Sequence, residues 1–204
     1  MEKEAFLQLL SDQSELAIIG PMPFEDDISV ETPILYVDGG INHKRSKEHV
    51  HFSVGDGDSA HDPKLINERL PTNKDYTDLE YALSIVPQNI SIITLYGFMG
   101  GRIDHALGVL GSVSHFLDQN PSCVVLLEKV FMAHPPGHFY FEHNGTFSVL
   151  SLYEQHVSIS GDCEFLLSDV EKIRPMQGLG LSNKAFGTVK ISCQRPLFIY
   201  THIE

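Results

Sequence analysis

The chain has 204 residues, 42% of them apolar and 20% charged, with a formal net charge of −13. This is the composition of a globular protein of one or two domains, and the acidic excess argues against general nucleic-acid binding and against docking on an anionic membrane. Cys123, Cys163 and Cys193 form no CxxC pair, which points away from a disulfide framework or a structural zinc site and towards buried thiols in a reducing compartment.

The first residues, Met1-Glu2-Lys3-Glu4, are acidic where an export signal is basic. The apolar run 5–10 is too short for such a signal or for a membrane span, so a cytoplasmic protein is expected. Two apolar runs, 16–20 and 34–37, read as buried strands of a parallel sheet, with 51–54 a weaker third. Residues 62–70 look like a brief helix. Thr77-x-x-Glu80 is a capping box ahead of Leu79, Ala82, Leu83 and Val86, which predicts a helix from Thr77. A β-rich run, 91–96, ends at Gly97. From Arg102 onward, Ile103, Leu107, Leu110, Val113 and Leu117 fall on one helical stripe, and 123–127 is another buried strand. The rhythm predicts an open α/β sheet, whose ligands bind at the carboxyl ends of the strands.

The pattern changes at Pro135-Pro136-Gly137, which divides the chain into 1–134 and 135–204. Beyond it, 138–143 and 146–152 flank Asn144-Gly145, a two-residue hairpin signal. Strand-like runs follow at 157–160, 164–167, 188–192 and 197–201, so the last third is predicted to be all-β, a small sandwich.

Four stretches of the first part set carboxylates beside glycine or at helix starts: Asp38-Gly39-Gly40, Gly55-Asp56-Gly57-Asp58-Ser59, Lys74-Asp75-Tyr76-Thr77-Asp78 and Gly100-Gly101-Arg102-Ile103-Asp104-His105. Hard oxygen ligands next to bare backbone suit a divalent cation that carries a phosphate chain. Each stretch also has a structural reading. Asp56 and Asp58 belong equally well to a plain polar loop, and Asp78 to compensation of a helix dipole. Arg102 is a fork for phosphate oxygens or the partner of Asp104 in an ion pair. His105 is an acid, base or donor, or a histidine that holds the turn. There is no GxxxxGK[ST], no GxSxG and no GxGxxG at the first strand–helix turn, which sets aside P-loop, hydrolase and dinucleotide-binding readings. Gly178-Leu179-Gly180-Leu181-Ser182-Asn183 lies between β-like runs, as a loop or as a pair of polar contacts for a small ligand.

Taken in order, Asp38-Gly39-Gly40 with Asn42, GDGDS, KDYTDLEYAL, GGRIDHAL and GLGLSN resemble the thiamine pyrophosphokinase family from about residue 18 to the end. The resemblance implies an α/β nucleotide-binding domain, a C-terminal β-sandwich that binds thiamine, and a homodimer. It implies transfer of a pyrophosphoryl group from ATP, with magnesium, to the thiamine hydroxyl, with release of AMP. Carried over by motif, Asp56, Asp58, Asp78 and Asp104 would surround magnesium and the triphosphate, with Arg102 on phosphate. Asp38, Gly39, Gly40, Asn42, Ser59, Thr77 and His105 would lie on the nucleotide side. Ser182 and Asn183 would meet thiamine across the dimer interface, and Phe186, the next aromatic after that motif, is the candidate to lie against its rings in place of a Trp. Two departures stand out: the family's usual GDFDS is GDGDS here, and the chain has no Trp to lie against the thiamine rings. A different alcohol acceptor for the same phosphate chemistry is the nearest alternative, and a nucleotide-binding paralogue without turnover is the next.

Overall fold

The computed structural model describes residues 1–44, 49–128, 131–170 and 172–201. The fold is a mixed α/β one dominated by sheet, and it divides into two compact units: Met1–Phe116 with Val125–Glu128, and Leu117–Val124 with Lys129–Glu204.

In the first unit, strands β1 (Glu15–Ile19), β2 (Ile34–Val37), β3 (His51–Gly55), β4 (Glu68–Arg69), β5 (Ile92–Tyr96) and β6 (Val124–Leu127) are hydrogen-bonded in the order β6-β5-β1-β2-β3-β4. The pairs β1–β2, β1–β5, β2–β3 and β3–β4 are parallel. Every residue of β2 is buried, as are all but the first of β1, which is why these strands read as unbroken apolar runs. Strand β1 has β2 on one side and β5 on the other. The chain therefore leaves β1 in one direction and later returns beside it, which opens a crevice beyond the carboxyl ends of β1 and β5.

Helix α1 (Lys3–Leu10) buries Phe6 and Leu10, and Phe6 stacks on Phe52 with ring centroids 5.5 Å apart. The run weighed in the sequence only as a leader is thus a helix packed on the core. Helix α2 (Asp78–Ser84) begins where the capping box predicts: Thr77 Oγ1 accepts from Glu80 N at 3.1 Å, and Thr77 N donates to Glu80 Oε2 at 2.7 Å. Helix α3 (Ile103–Gln119) follows, but its stripe is not buried throughout. Leu110, Val113 and Leu117 are buried, whereas Ile103 is 78% and Leu107 53% exposed.

The helix expected over 62–70 does not form. A 3-10 turn, Pro63–Leu65, is followed by the extended β4. Asn67 draws the chain flat against β3: its Oδ1 accepts from Ser53 N and from Ser53 Oγ, at 3.1 and 2.9 Å, and its backbone N donates to Ser53 Oγ at 2.9 Å. A side chain that satisfies backbone groups in this way competes with the helix ladder.

The second unit holds β7 (Phe131–His134), β8 (Gly137–Ser151), β9 (Gln155–Cys163), β10 (Lys172–Ile173), β11 (Asn183–Cys193) and β12 (Leu197–Thr201) in the order β10-β9-β11-β8-β12-β7, each pair antiparallel. Alternate residues of its strands, among them Phe141, Phe147, Val149, Val157, Ile159, Val189, Ile191, Leu197 and Ile199, form one apolar core.

No hairpin forms at Asn144-Gly145. Strand β8 runs straight through the pair, with Asn144 opposite Phe186 and Gly145 opposite Ala185 in β11. Gly145 has φ +132°, a conformation only glycine adopts readily, so the dipeptide bends a 15-residue strand instead of ending it. The run expected at 164–167 contributes only an isolated bridge, Leu167 to Ile159.

Candidate active site

The crevice beyond β1 and β5 is a cleft of about 740 Å³ within the first unit. Its wall includes Pro21 and Met22 after β1, Asp38 after β2, Asp56, Asp58 and Ser59 after β3, Thr77 and Asp78 at the start of α2, and Gly97, Phe98, Gly100, Gly101, Arg102 and Asp104 after β5. Four separate carboxyl ends and helix starts thus bring the sequence-predicted acids to one place, together with Arg102 and His105.

Asp38, Asp56 and Asp78 are the tightest group, with one carboxylate oxygen from each lying within 4.8 Å of the others. Asp38 has φ +47°, and its carboxylate orders the next loop: Oδ1 accepts from Gly57 N at 2.9 Å and Oδ2 accepts from Ser59 Oγ. Ser59 Oγ also accepts from Gly39 N at 2.9 Å. Asn42 closes the brace, donating to Ser59 O at 3.1 Å and accepting from His61 N at 2.8 Å. Asn42 and Ser59 therefore hold two loops together, while Asp38 does this and faces the cleft as well. Gly57 sits at φ +80°, and a Cβ there would lie 2.7 Å from the Arg69 guanidinium. The conformation of this loop requires glycine, whatever other members of a family place there.

Lys74 is the side chain that motif reading passed over. Its Nζ lies 3.2 Å from Asp56 Oδ2 and 3.3 Å from Asp78 Oδ1, and donates to Pro71 O at 2.9 Å, with the side chain only 8% exposed. The signal was its place four residues before Asp78. Burial pulls the Lys74 ammonium down, but Asp56 and Asp78 outweigh it and the pKa is raised. Burial likewise pushes the Asp56 carboxyl up, yet the hydrogen bond from Asp58 N and the Lys74 charge bring it below its ordinary value. Asp58 and Asp78 go the other way. Asp58 is raised by burial and by Asp56 and Asp38, and Asp78 by burial that Lys74 only partly offsets. Asp78 Oδ1 is buried and accepts no hydrogen bond of ordinary geometry.

Three converging carboxylates share one ammonium, and a buried oxygen of Asp78 has only that ion pair, a donor set that fits a hard divalent cation. Asp104 stands apart from that set. It is paired with Arg102, at 3.1 Å to Nε and 2.5 Å to the terminal nitrogen, with both side chains well exposed, and the pairing lowers the Asp104 pKa to about 2. Gly40 packs tightly, since a Cβ there would meet Ile19 O at 2.0 Å.

Ser182, Asn183 and Phe186 belong to the second unit. Ser182 is exposed at φ +57° and its N donates to Ser148 Oγ at 3.0 Å. Asn183 is 4% exposed, and its amide is engaged by backbone: Oδ1 accepts from Phe165 N and Lys184 N, at 3.0 and 2.8 Å, and Nδ2 donates to Phe165 O at 2.7 Å. Phe186 is 63% exposed on β11.

Residues 26–125 match the family model for the catalytic domain of thiamin pyrophosphokinase. No curated protein matches the chain by sequence. Among solved structures, a Lactobacillus plantarum protein superposes with a TM-score of 0.73 at 20% identity, covering 94% of this chain and 100% of its own. The thiamine pyrophosphokinase of Bacillus subtilis gives 0.65 at 21% identity, with 93% and 100% covered. The thiamin pyrophosphokinase of Candida albicans gives 0.72 at 14% identity, with 100% and 92% covered. At these identities the structural likeness speaks for the fold alone.

Proposed function

We propose that the chain works as a thiamin pyrophosphokinase, the family whose catalytic-domain model residues 26–125 match, that ATP and magnesium occupy the cleft of the first unit, and that a pyrophosphoryl group passes there to the thiamine hydroxyl. The hydroxyl oxygen forms its bond to the β-phosphorus, the bond to the α-phosphate oxygen breaks, and AMP leaves. The observation that carries this reading is the convergence of Asp38, Asp56 and Asp78, with oxygens within 4.8 Å of one another, in the cleft that also presents Arg102.

Bound magnesium supplies charge neutralisation for the triphosphate. Asp56 and Asp78 hold it, with Asp38 completing the group. Lys74 keeps those carboxylates together and adds a cation beside the phosphates. Arg102 exchanges its solvent-exposed partner Asp104 for phosphate oxygens, which its planar fork suits. Gly100 and Gly101 let the phosphate chain approach the backbone. Asp58 lines the same cleft, and burial with its acidic neighbours pushes its carboxyl above the ordinary value, which suits it to take the hydroxyl proton.

The finer assignments follow the same reading. The first unit serves as the nucleotide domain and the second, which includes β7, as the thiamine-binding domain expected over 135–204, and two chains pair so that Ser182 and Phe186 of one meet thiamine bound at the cleft of the other. The protein works in the cytoplasm, a setting that suits three buried cysteines without a disulfide among the described residues. No helix of the described residues is long and apolar enough to cross a membrane.

The test is AMP release from ATP, with thiamine and magnesium each present or omitted. Release that needs both supports the proposal. Binding of magnesium–ATP with no thiamine-dependent AMP would move the assignment to another alcohol acceptor.

A further inference from the structure

Among the described residues, one side chain from outside hydrogen-bonds the backbone of the loop that carries Arg102 to the cleft. The loop contains three glycines with left-handed backbone, Gly97, Gly100 and Gly101, at φ +71°, +98° and +63°. Such a stretch has more conformational freedom to lose than any other residues would have, so its own sequence does not fix its path. Glu128, at the end of β6, reaches back to it. Its Oε1 accepts from Phe98 N at 3.0 Å and from Met99 N at 3.3 Å. Glu128 N meanwhile donates to Leu95 O at 3.0 Å, which ties the same residue to the end of β5. At the loop's start the backbone is also tied to the segment after β1, by Gly20 N to Tyr96 O at 2.7 Å and Met22 N to Gly97 O at 2.9 Å, but neither bond reaches Phe98 or Met99.

Glu128 is held at φ +51°, a left-handed conformation uncommon for a residue other than glycine, asparagine or aspartate. A backbone optimised for stability alone would place glycine there. An observed outlier whose side chain reaches two amides of a functional loop is the pattern expected where strain is kept for positioning.

We propose that Glu128 is a positioning residue for catalysis: its carboxylate oxygen fixes Phe98 and Met99, and through them the path of Gly100-Gly101 and the placement of Arg102 against the phosphate chain. The inference rests on the reading of the cleft as the magnesium–ATP site. It requires an acceptor oxygen at this point, and not a negative charge.

The experiment compares Glu128→Gly, Glu128→Ala and Glu128→Gln in the full chain. Glycine removes the acceptor and relieves the left-handed backbone, so its melting temperature should stay close to that of the unmodified protein. Affinity for magnesium–ATP, read by calorimetry, should nevertheless fall by between about ten- and a hundredfold, the scale on which a loop displaced by an ångström loses its contacts. Alanine should lose as much affinity and some stability. Glutamine keeps the oxygen and should restore affinity to near the starting value. Hydrogen exchange of the Phe98 and Met99 amides, measured without nucleotide, should be slow in the unmodified protein and in Glu128→Gln, and faster in the other two. Unchanged exchange and unchanged affinity in Glu128→Gly would overturn the inference, as would a Glu128→Gln as weak as Glu128→Ala. If the unmodified protein fails to bind magnesium–ATP, the reading of the cleft fails instead, and amide exchange still tests the anchor.

Discussion

Two sets of buried polar groups, one in each unit, are treated in opposite ways. In the second unit, Gln155 is 3% exposed, accepts from Gln194 N and Arg195 N at 2.9 and 2.8 Å, and donates to Ser151 Oγ at 2.8 Å. Asn183 is engaged in the same manner by Phe165 and Lys184. In the cleft of the first unit, Asp78 Oδ1 is buried with only the Lys74 ion pair, at 3.3 Å and short of hydrogen-bond geometry, and Asp58 and Asp78 are pushed up by burial and by other carboxylates. Satisfied polar groups knit a core together, whereas frustrated ones mark where something else is to be bound. Two residues carried into the site by motif, Asp78 and Asn183, fall on opposite sides of that line.

Substitution should separate them, and the largest effect belongs to the cleft. Asp78→Asn is expected to cut turnover by about a hundredfold or more, the scale of losing one preorganised charge contact in a transition state. Its fold should survive, because a first-turn carboxylate contributes at most about 1 kcal/mol through the helix dipole. Near-normal turnover would make Asp78 a helix-end residue only. Asn183→Ala should do the reverse. Three backbone groups lose their partner, at about 1–3 kcal/mol for a buried group left unsatisfied, so a lowered melting temperature is the expected readout. Ser182→Ala, one residue earlier and exposed, should raise KM for thiamine and leave KM for ATP and the melting temperature nearly unchanged. If Asn183→Ala instead changes only KM for thiamine, the two units are less different than their hydrogen bonds indicate.

Titration gives the smallest effect and a defined sign. Asp58 and Asp78 bind protons more tightly in the folded protein than in the unfolded chain, so as pH rises above the ordinary carboxylate range they take stability away. Asp56 is depressed and acts oppositely, its contribution being lost as pH falls through its folded value. Magnesium bound among the three, as proposed, would relieve their repulsion. The rise in melting temperature on adding magnesium should therefore be larger at neutral pH than in mild acid, and an equal or smaller rise at neutral pH would count against the cluster as the metal site.

Much of this was legible in the sequence, for physical reasons. The buried parallel strands announce themselves as apolar runs, and α2 announces itself through a reciprocal cap. The glycine-flanked acids gather because parallel strands deliver their carboxyl ends to one edge. What was not legible depends on distant partners. Asn144-Gly145 reads as a turn until β11 is seen to pair with both of its halves. Residues 62–70 read as helical until Asn67 meets Ser53. Glu128 lies 30 residues from Phe98, and no local pattern links them. Lys74 was legible in part, by its spacing from Asp78, but its burial between two carboxylates was not.

The most direct test of the central claim, that the acid cluster holds the metal through which the cleft binds ATP, is calorimetry of ATP with and without magnesium on the unmodified protein and on Asp56→Asn. The account predicts binding that needs magnesium in the unmodified protein and is greatly weakened in Asp56→Asn. Equal affinity with and without magnesium, or an Asp56→Asn that binds as the unmodified protein does, would contradict it.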